Sequence, residues 1–277
     1  MSGRNYYALV AGLKEYALDA DTKGFDARAI VGAILDEVSD SDAREVRLLY
    51  GYYDCENLAA LRAGRKPRNP LGNLAPDELE EELRHPVRLP RRVADVVRAY
   101  GDPEGEEAEE RDMNVRFEAA LFEAYYAECA RSSSRFLREW SLFDRNLRNI
   151  AAAVGARAAG RATDEAVVGG GDVAAQLRRS SAADFGLRGE LPCVDAVIAA
   201  VNEEANLLEK EHKLDLIRWN EAVELASFDY LDINAVLSYL VRVNIVARWT
   251  RLSERTGREM FARLLDGLDG KELINKQ

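Results

Sequence analysis

The chain has 277 residues, 47% of them hydrophobic, and a formal net charge of -11. This apolar content is enough for a sizeable core, in one domain or two. The acidic balance argues against a general nucleic-acid binder or a protein that coats anionic membranes, although it leaves room for a local basic site. The three cysteines are far apart in the sequence. They show neither a metal-ligand spacing nor a disulfide framework, and they suit a reducing compartment.

The chain opens on a short apolar run, residues 5–13, which contains two adjacent tyrosines and is followed at once by Lys14 and Glu15. The run is too short to cross a membrane, and no other stretch approaches the eighteen apolar residues that a span needs. Charge stands where a signal peptide would have its small-residue cleavage site. We therefore expect the run to remain in the protein as a first buried helix or strand.

Local signals predict helices through the first half of the chain. The predicted helices lie at 26–38, from 42 to about 62, at 76–84 and at 89–100. Asp42 and Glu45 have the spacing of a capping box, and Pro76 suits the first position of a helix. The opening run and residues 46–50 are the two segments that are also plausible strands. The expected fold class is mostly or entirely α.

Proline divides the chain, because it interrupts helices. Six of the seven prolines lie between Pro67 and Pro103, and the seventh is Pro192. The tracts 104–191 and 193–277 are free of proline and carry apolar residues at helical spacing, which predicts long helices. The glycine-rich stretch 160–192 is interpreted as a connection. We predict a single all-α chain of several long antiparallel helices, with possible lobes at 1–103, 104–191 and 192–277.

The last part of the chain predicts a helical hairpin. Its first arm runs from about residue 194 to 228, and Asp232 in the turn is placed to cap the next helix. The second arm extends to about residue 265. From Val236 to Trp249 it is apolar on almost every side, which is typical of a central helix.

Two segments of the sequence, 53–64 and 143–160, resemble each other. Each has an aromatic residue before Asp, then Asn beside Leu or Ile, and then Arg and Gly; a weaker third copy lies at 228–234. The recurring polar residues are Asp54, Asn57, Asp144 and Asn149. Ordinary helix caps and helix-surface positions would give the same residue types.

The opening run resembles the start of an uncharacterised bacterial family usually met alongside the other components of a V-type ATPase. It is also loosely similar to the tyrosine-rich first helix of the V-type ATPase C subunit, whose eukaryotic counterpart is the d subunit. The C subunit is built from three similar helical lobes arranged as a funnel, so the internal repeat adds to this resemblance. The resemblance implies an all-α fold like that of the V-type ATPase C subunit.

The resemblance also implies a function. It is that of a non-enzymatic rotor adaptor in proton or other ion transport, which couples the central-shaft subunits of the V-type ATPase to its membrane rotor ring. Such a protein needs no cofactor and is cytoplasmic, peripheral to the membrane through the ATPase complex. Its candidate partner-binding residues are Asp54, Asn57, Asp144 and Asn149. If these residues are surface contacts, neutralising both aspartates should leave the melting temperature nearly unchanged. An assembly factor for the same ATPase is the alternative.

Enzyme signals are sparse. No Gly-x-x-x-x-Gly-Lys-Ser/Thr is present, so we do not expect the nucleotide-hydrolysing subunit. Glu82 precedes His85 by three residues, and Glu209 precedes His212 by three. Two such pairs occur in di-iron helical bundles, which makes a di-iron enzyme the alternative from another class. Because Pro86 interrupts the first pair and His212 continues an apolar stripe, no metal is expected.

A basic run stands out in this acidic chain. It comprises Arg62, Arg65, Lys66 and Arg68. Such a run is typical of a solvated loop surface, and it also suits contact with an acidic partner. The sequence leaves both interpretations open.

Overall fold

The computed structural model describes residues 5–18, 24–100, 107–202 and 207–252. Every regular element in these ranges is helical, and none of their residues is in a strand, which confirms the all-α prediction. In chain order the helices are α1 (Tyr7–Gly12), α2 (Ala27–Glu37), α3 (Asp40–Arg62), α4 (Pro76–Arg84), α5 (Arg91–Tyr100), α6 (Glu107–Cys129), α7 (Arg135–Ala158), a 3-10 turn (Asp164–Ala166), α8 (Asp172–Arg179), α9 (Val194–Asn202), α10 (Leu207–Leu225) and α11, helical throughout 233–252. No helix in the described ranges is long and apolar enough to span a membrane.

Both of the segments that are plausible strands are helical. The opening run contains α1, and residues 46–50 lie within α3. In that second segment the buried side chains are Val46, Leu49 and Tyr50. Their spacing of three and four residues places them on one face of a helix, whereas a strand would bury alternate residues.

Local capping decides where several helices begin. The Asp26 carboxylate accepts the backbone N–H groups of the first turn of α2, and Asp232 does the same for α11. Pro76 is the first residue of α4. The predicted start of α3 is wrong by a few residues, because Ser39 is its cap and accepts the backbone N–H of Asp42. Serine is as good a cap as aspartate, and Ser39 directly precedes the first helical residue, so its hydroxyl caps α3.

The chain contains two successive four-helix units with the same order of long, short, short and long helices. Within the described residues, α3 to α6 have 23, 9, 10 and 23 residues, and α7 to α10 have 24, 8, 9 and 19. In each unit the two long helices contact each other, and the second short helix packs on the last long one. The helix α11 follows as a further long element. These units differ from the possible lobes at 1–103, 104–191 and 192–277, a division that stays a prediction.

In the part of the chain that the structure describes, two hydrophobic clusters form the core. The larger joins α3, α5, α6 and α11 with the start of α7, and the smaller joins the rest of α7 with α8, α9 and α10. The buried apolar residues of α11 run from Val236 to Ala247, which confirms its central position. The predicted connection 160–192 does more than link helices, because Leu177, Phe185 and Leu187 are fully buried in the smaller cluster.

The last helices pack in succession, α9 on α10 and α10 on α11. Burial and then the nearby Glu221 carboxylate raise the pKa of the Cys193 thiol at the start of α9. The Ser238 hydroxyl donates to the Ala222 carbonyl at 2.6 Å, so α10 turns back onto α11. The predicted hairpin is therefore confirmed for α10 and α11, while its long first arm is two packed helices. Its predicted end near residue 265 lies outside the described residues.

Candidate functional site

A cleft of about 460 Å³ lies where the long helices α3, α6, α7, α10 and α11 meet. Tyrosines from α3 and α6 line part of it, and charged side chains come from α7, α10 and α11. The tyrosines are Tyr52, Tyr53, Tyr125 and Tyr126. Burial raises the pKa of all four phenols. They therefore stay neutral hydrogen-bonding groups near pH 7.

Asp144 is the buried centre of the charged part. Its carboxylate accepts from the Nε of Arg148 at 2.7 Å, from the Nε of Arg218 at 3.0 Å and from the Tyr126 hydroxyl at 3.1 Å. Burial by itself would raise the pKa of Asp144, but the two guanidinium groups hold it below its ordinary value. Asp144 is thus ionised, and it joins α6, α7 and α10.

The ion pairs continue from Asp144 into α11. Arg218 also donates to Asp215 at 2.9 Å, and Asp215 accepts from Arg248 at 2.6 Å and from the Trp249 indole at 2.9 Å. Arg248 in turn pairs with Glu211. Alternating charges therefore tie α7, α10 and α11 together, and these arginines are already paired with carboxylates of the chain.

The first pair of predicted site residues holds a loop of the chain. The Asn57 amide donates to the Asn69 carbonyl at 2.8 Å and accepts the Asn69 backbone N–H at 3.0 Å. Asp54 accepts the Leu74 backbone N–H at 3.1 Å and the Asn73 amide at 2.6 Å. Both residues are buried, with 4% exposure each. Together they fasten the loop 69–74 to α3.

The two residues of the second predicted pair, Asp144 and Asn149, have different roles. Asn149 bonds both backbone groups of Val168, at 2.9 Å each, so it clamps the loop after α7 as Asn57 clamps the loop after α3. Asp144 is the member of the predicted set that lines the larger cleft. Asn234, in the weak third copy, instead accepts the backbone N–H of Phe136 at 3.2 Å. The sequence repeat therefore reflects a structural repeat at the two clamps.

The four predicted residues are not gathered into one site. Asp144 is 6% exposed and Asn149 is 3% exposed, so both are buried like Asp54 and Asn57. All four make their hydrogen bonds to other groups of the chain. A role for them in partner binding stays a prediction, and in this structure it would act through the loops and helices that they position.

A smaller cleft of about 280 Å³ adjoins the first, and the two share Glu56, Asn69 and Arg251. Its cationic side chains are Arg65, Lys66, Arg68 and Arg251. The basic run in the sequence points to three of these. No local signal points to Arg251, which α11 brings to the loop.

Arg62, the first residue of the basic run, is not part of this cleft. It is buried, hydrogen-bonds to Asn114, and its guanidinium carbon lies 5.0 Å from the centre of the Phe117 ring. Its position at the end of α3 turns it towards α6, whereas the loop carries the following cations away.

The two Glu-x-x-His pairs have other surroundings. Glu82 is buried, and its carboxylate accepts the three backbone N–H groups of 87–89. His85 is exposed, and the His212 ring packs edge-on against Trp249 with their centres 5.4 Å apart. Among the described residues, no group of three or more His, Cys, Asp or Glu side chains is arranged to hold a metal ion.

Comparison with known protein families identifies the family of this chain. A family model described as protein of unknown function (DUF2764) matches residues 3–271. The chain belongs to this family. The DUF2764 match runs through both four-helix units and the described part of α11, so both clefts lie within it. No curated protein matches the chain.

Proposed function

We propose that this DUF2764 protein is a non-enzymatic adaptor of a V-type ATPase rotor, which couples the central-shaft subunits to the membrane ring. The repeated four-helix unit is the observation that supports this most strongly. The units α3–α6 and α7–α10 share their order of helices, and each has an asparagine clamp on the loop after its first helix. The V-type ATPase C subunit, which the sequence resembles, is likewise built from similar helical lobes.

The ion-pair network suits an element that transmits torque. A coupling element must be stiff, so that rotation of one partner moves the other without bending the adaptor. Asp144, Arg218 and Asp215 link α7 to α10, and Arg248 extends the link to α11. Hydrogen-bonded ion pairs are directional, so they resist sliding of the helices more than apolar contacts do.

The cleft between the helices is the proposed docking region for the shaft. It receives side chains from α3, α7 and α11, the long helices that begin the two units and follow the second. A cleft of about 460 Å³ has room for side chains at the end of a shaft, and because several long helices line it, force on those side chains passes to all of the helices. No covalent chemistry is needed in this role.

Affinity purification tests the proposal. The tagged chain, expressed in its own cells at its normal level, is isolated at low salt, and its partners are identified by mass spectrometry. We expect enrichment of central-shaft and ring subunits over an untagged control. Retention should weaken but persist as salt rises, because salt screens exposed charges beyond about 10 Å at 0.1 M and affects apolar contacts less.

Two results would change the conclusion. If no ATPase subunit is enriched at low salt, the adaptor proposal is refuted. If the chain is found with incomplete assemblies and is absent from the finished, ATP-hydrolysing complex, it is an assembly factor. Separating the purified material by size before mass spectrometry distinguishes these cases.

A further inference from the structure

The smaller cleft, with Arg65, Lys66, Arg68 and Arg251 around it, forms a basic mouth. We propose that the basic mouth is a docking site for an acidic segment of a protein partner. This inference deepens the proposed adaptor function. It rests on that function only for the identity of the partner, which would then be a subunit of the ATPase.

The charge balance of the basic mouth is opposite to that of the chain. Among the described residues that line it, four cationic side chains face one carboxylate, that of Glu56, which also accepts from the Asn69 amide at 2.7 Å. Arg65, Lys66 and Arg68 are exposed, and Arg251 is partly buried. No ion pair within the described residues involves any of the four. In a protein of net charge -11, this is a local positive field that attracts carboxylates.

The loop that carries three of these cations is fixed in place. Gly64, with a φ of 66°, ends α3, and the Arg65 backbone N–H donates to the Ala60 carbonyl at 2.8 Å. Further along, Asn57 clamps both backbone groups of Asn69. A loop that is already ordered loses less conformational entropy when it binds, so its cations are better placed for recognition than those of a free tail.

An acidic protein segment fits the surroundings better than a phosphate or a nucleic acid. Through Glu56, Asn69 and Arg251 the basic mouth continues into the larger cleft, where Tyr52 and Tyr53 add aromatic surface. A peptide can offer carboxylates to the first part and an apolar side chain to the second. A long nucleic acid would carry its phosphates past these four cations onto the acidic remainder of the molecule, whereas a short acidic peptide need not extend beyond them.

The first test uses a fluorescent peptide of ten glutamates and an uncharged Gly-Ser peptide of equal length. Binding to the full chain is measured by fluorescence anisotropy at low salt. We expect the glutamate peptide to bind and Arg65→Gln/Lys66→Gln/Arg68→Gln to weaken it about tenfold, since each exposed charge contributes about twofold to threefold. A matched control, Arg28→Gln/Arg44→Gln/Arg161→Gln, removes three exposed cations elsewhere and should change affinity less than about twofold.

Cross-linking locates the contact. A carbodiimide activates a glutamate carboxylate, and a lysine amine then displaces the activating group as a urea to form an amide. Lys66 is the lysine of the basic mouth. We expect it to carry the peptide in the wild-type chain, as read by mass spectrometry after proteolysis.

The two asparagine clamps give a second matched pair. Asn57→Ala and Asn149→Ala each remove two hydrogen bonds to a loop, but Asn57 itself lines the basic mouth, and the loop that it fixes carries three of the four cations. We expect Asn57→Ala to weaken peptide binding severalfold and Asn149→Ala to leave it unchanged. Circular dichroism before the assay restricts the comparison to folded protein.

Several outcomes would overturn the docking site. They are equal binding of the two peptides, equal loss in the two triple variants, cross-links spread over other lysines, or tripolyphosphate binding at the basic mouth where the peptide does not. If the peptide binds as expected and the chain lacks ATPase partners in cells, the docking site stands and the adaptor proposal fails. If the chain co-purifies with the ATPase and the two triple variants are retained equally, the adaptor proposal stands and the docking site fails.

Discussion

Replacing Asp144 by asparagine tests the ion-pair network most directly. The substitution keeps the shape of the side chain and removes its charge. Arg148 and Arg218 bond to different oxygens of the carboxylate, so in the variant the amide NH2 group faces the N–H donor of one of them. The Tyr126 hydroxyl competes for the single oxygen that remains.

The loss of stability in Asp144→Asn depends on how exposed the two arginines are. Removing one partner of a buried ion pair costs about 3–5 kcal/mol. The Arg218 side chain is 11% exposed but keeps Asp215, and the Arg148 side chain is 41% exposed and can reach water. We therefore expect the free energy of unfolding to fall by about 3 kcal/mol, at the lower end of this range. For a chain of this size, that lowers the melting temperature by about 6–12 °C.

The pH dependence supplies a second signature. The pKa of Asp144 in the folded chain lies below its ordinary value of 3.8. A depressed pKa means that the carboxylate stabilises the fold above that value and loses its effect as the pH falls through the folded-state pKa. The difference in unfolding free energy between wild type and Asp144→Asn should be full near neutral pH and should shrink below 3.8.

Urea unfolding followed by circular dichroism measures both quantities. Glu139→Gln is the control on the same helix, because Glu139 pairs with Arg135 at the surface and is 43% exposed. Its loss should stay below about 0.5 kcal/mol. If Asp144→Asn is no more destabilising than Glu139→Gln, or if its deficit is the same in acid, the network does not hold the helices as described.

Two further predictions concern the loop after α3. Asp54→Asn should cost only about 1 kcal/mol, since the amide keeps one acceptor for the donors from Asn73 and Leu74. Burial raises the pKa of Asp54, so its contribution is present in acid and is lost as the pH rises; the deficit of this variant, measured in urea, should therefore be larger in acid than at neutral pH, opposite to that of Asp144→Asn. Gly72→Ala would place a Cβ 2.6 Å from the Asp54 carboxylate and should lower stability by about 1–3 kcal/mol in the same assay. Gly170→Ala, with no heavy atom within 4 Å of its Cβ, should change little, and equal effects of the two glycine variants would contradict the close contact.

The buried aspartates also change an expectation from the sequence. Surface contacts could be neutralised with almost no change in melting temperature, and this was expected of Asp54 and Asp144 together. In the folded chain both are buried and hydrogen-bonded to other segments. The double variant should therefore unfold at a clearly lower temperature, so retention in a complex must be compared among variants that remain folded.

The sequence by itself determined the all-α fold class and where several helices begin. Helix starts at Asp26, Pro76 and Asp232 were predictable, because a cap acts on backbone groups within about three residues of itself. The central position of α11 was also predictable, since a helix that is apolar on nearly every side has no face left for water. The repeated asparagines were visible as a pattern, but their role as loop clamps was not.

Only the tertiary structure decided which charges meet. Asp144 pairs with Arg218 from another helix, and Arg251 of α11 reaches the loop that carries Lys66. An aspartate that forms such a pair has the same local sequence signal as one that faces water, because the pairing depends on how distant helices pack. Burial then converts ordinary surface residue types into structural ones, since a carboxylate removed from water must find its partners within the protein.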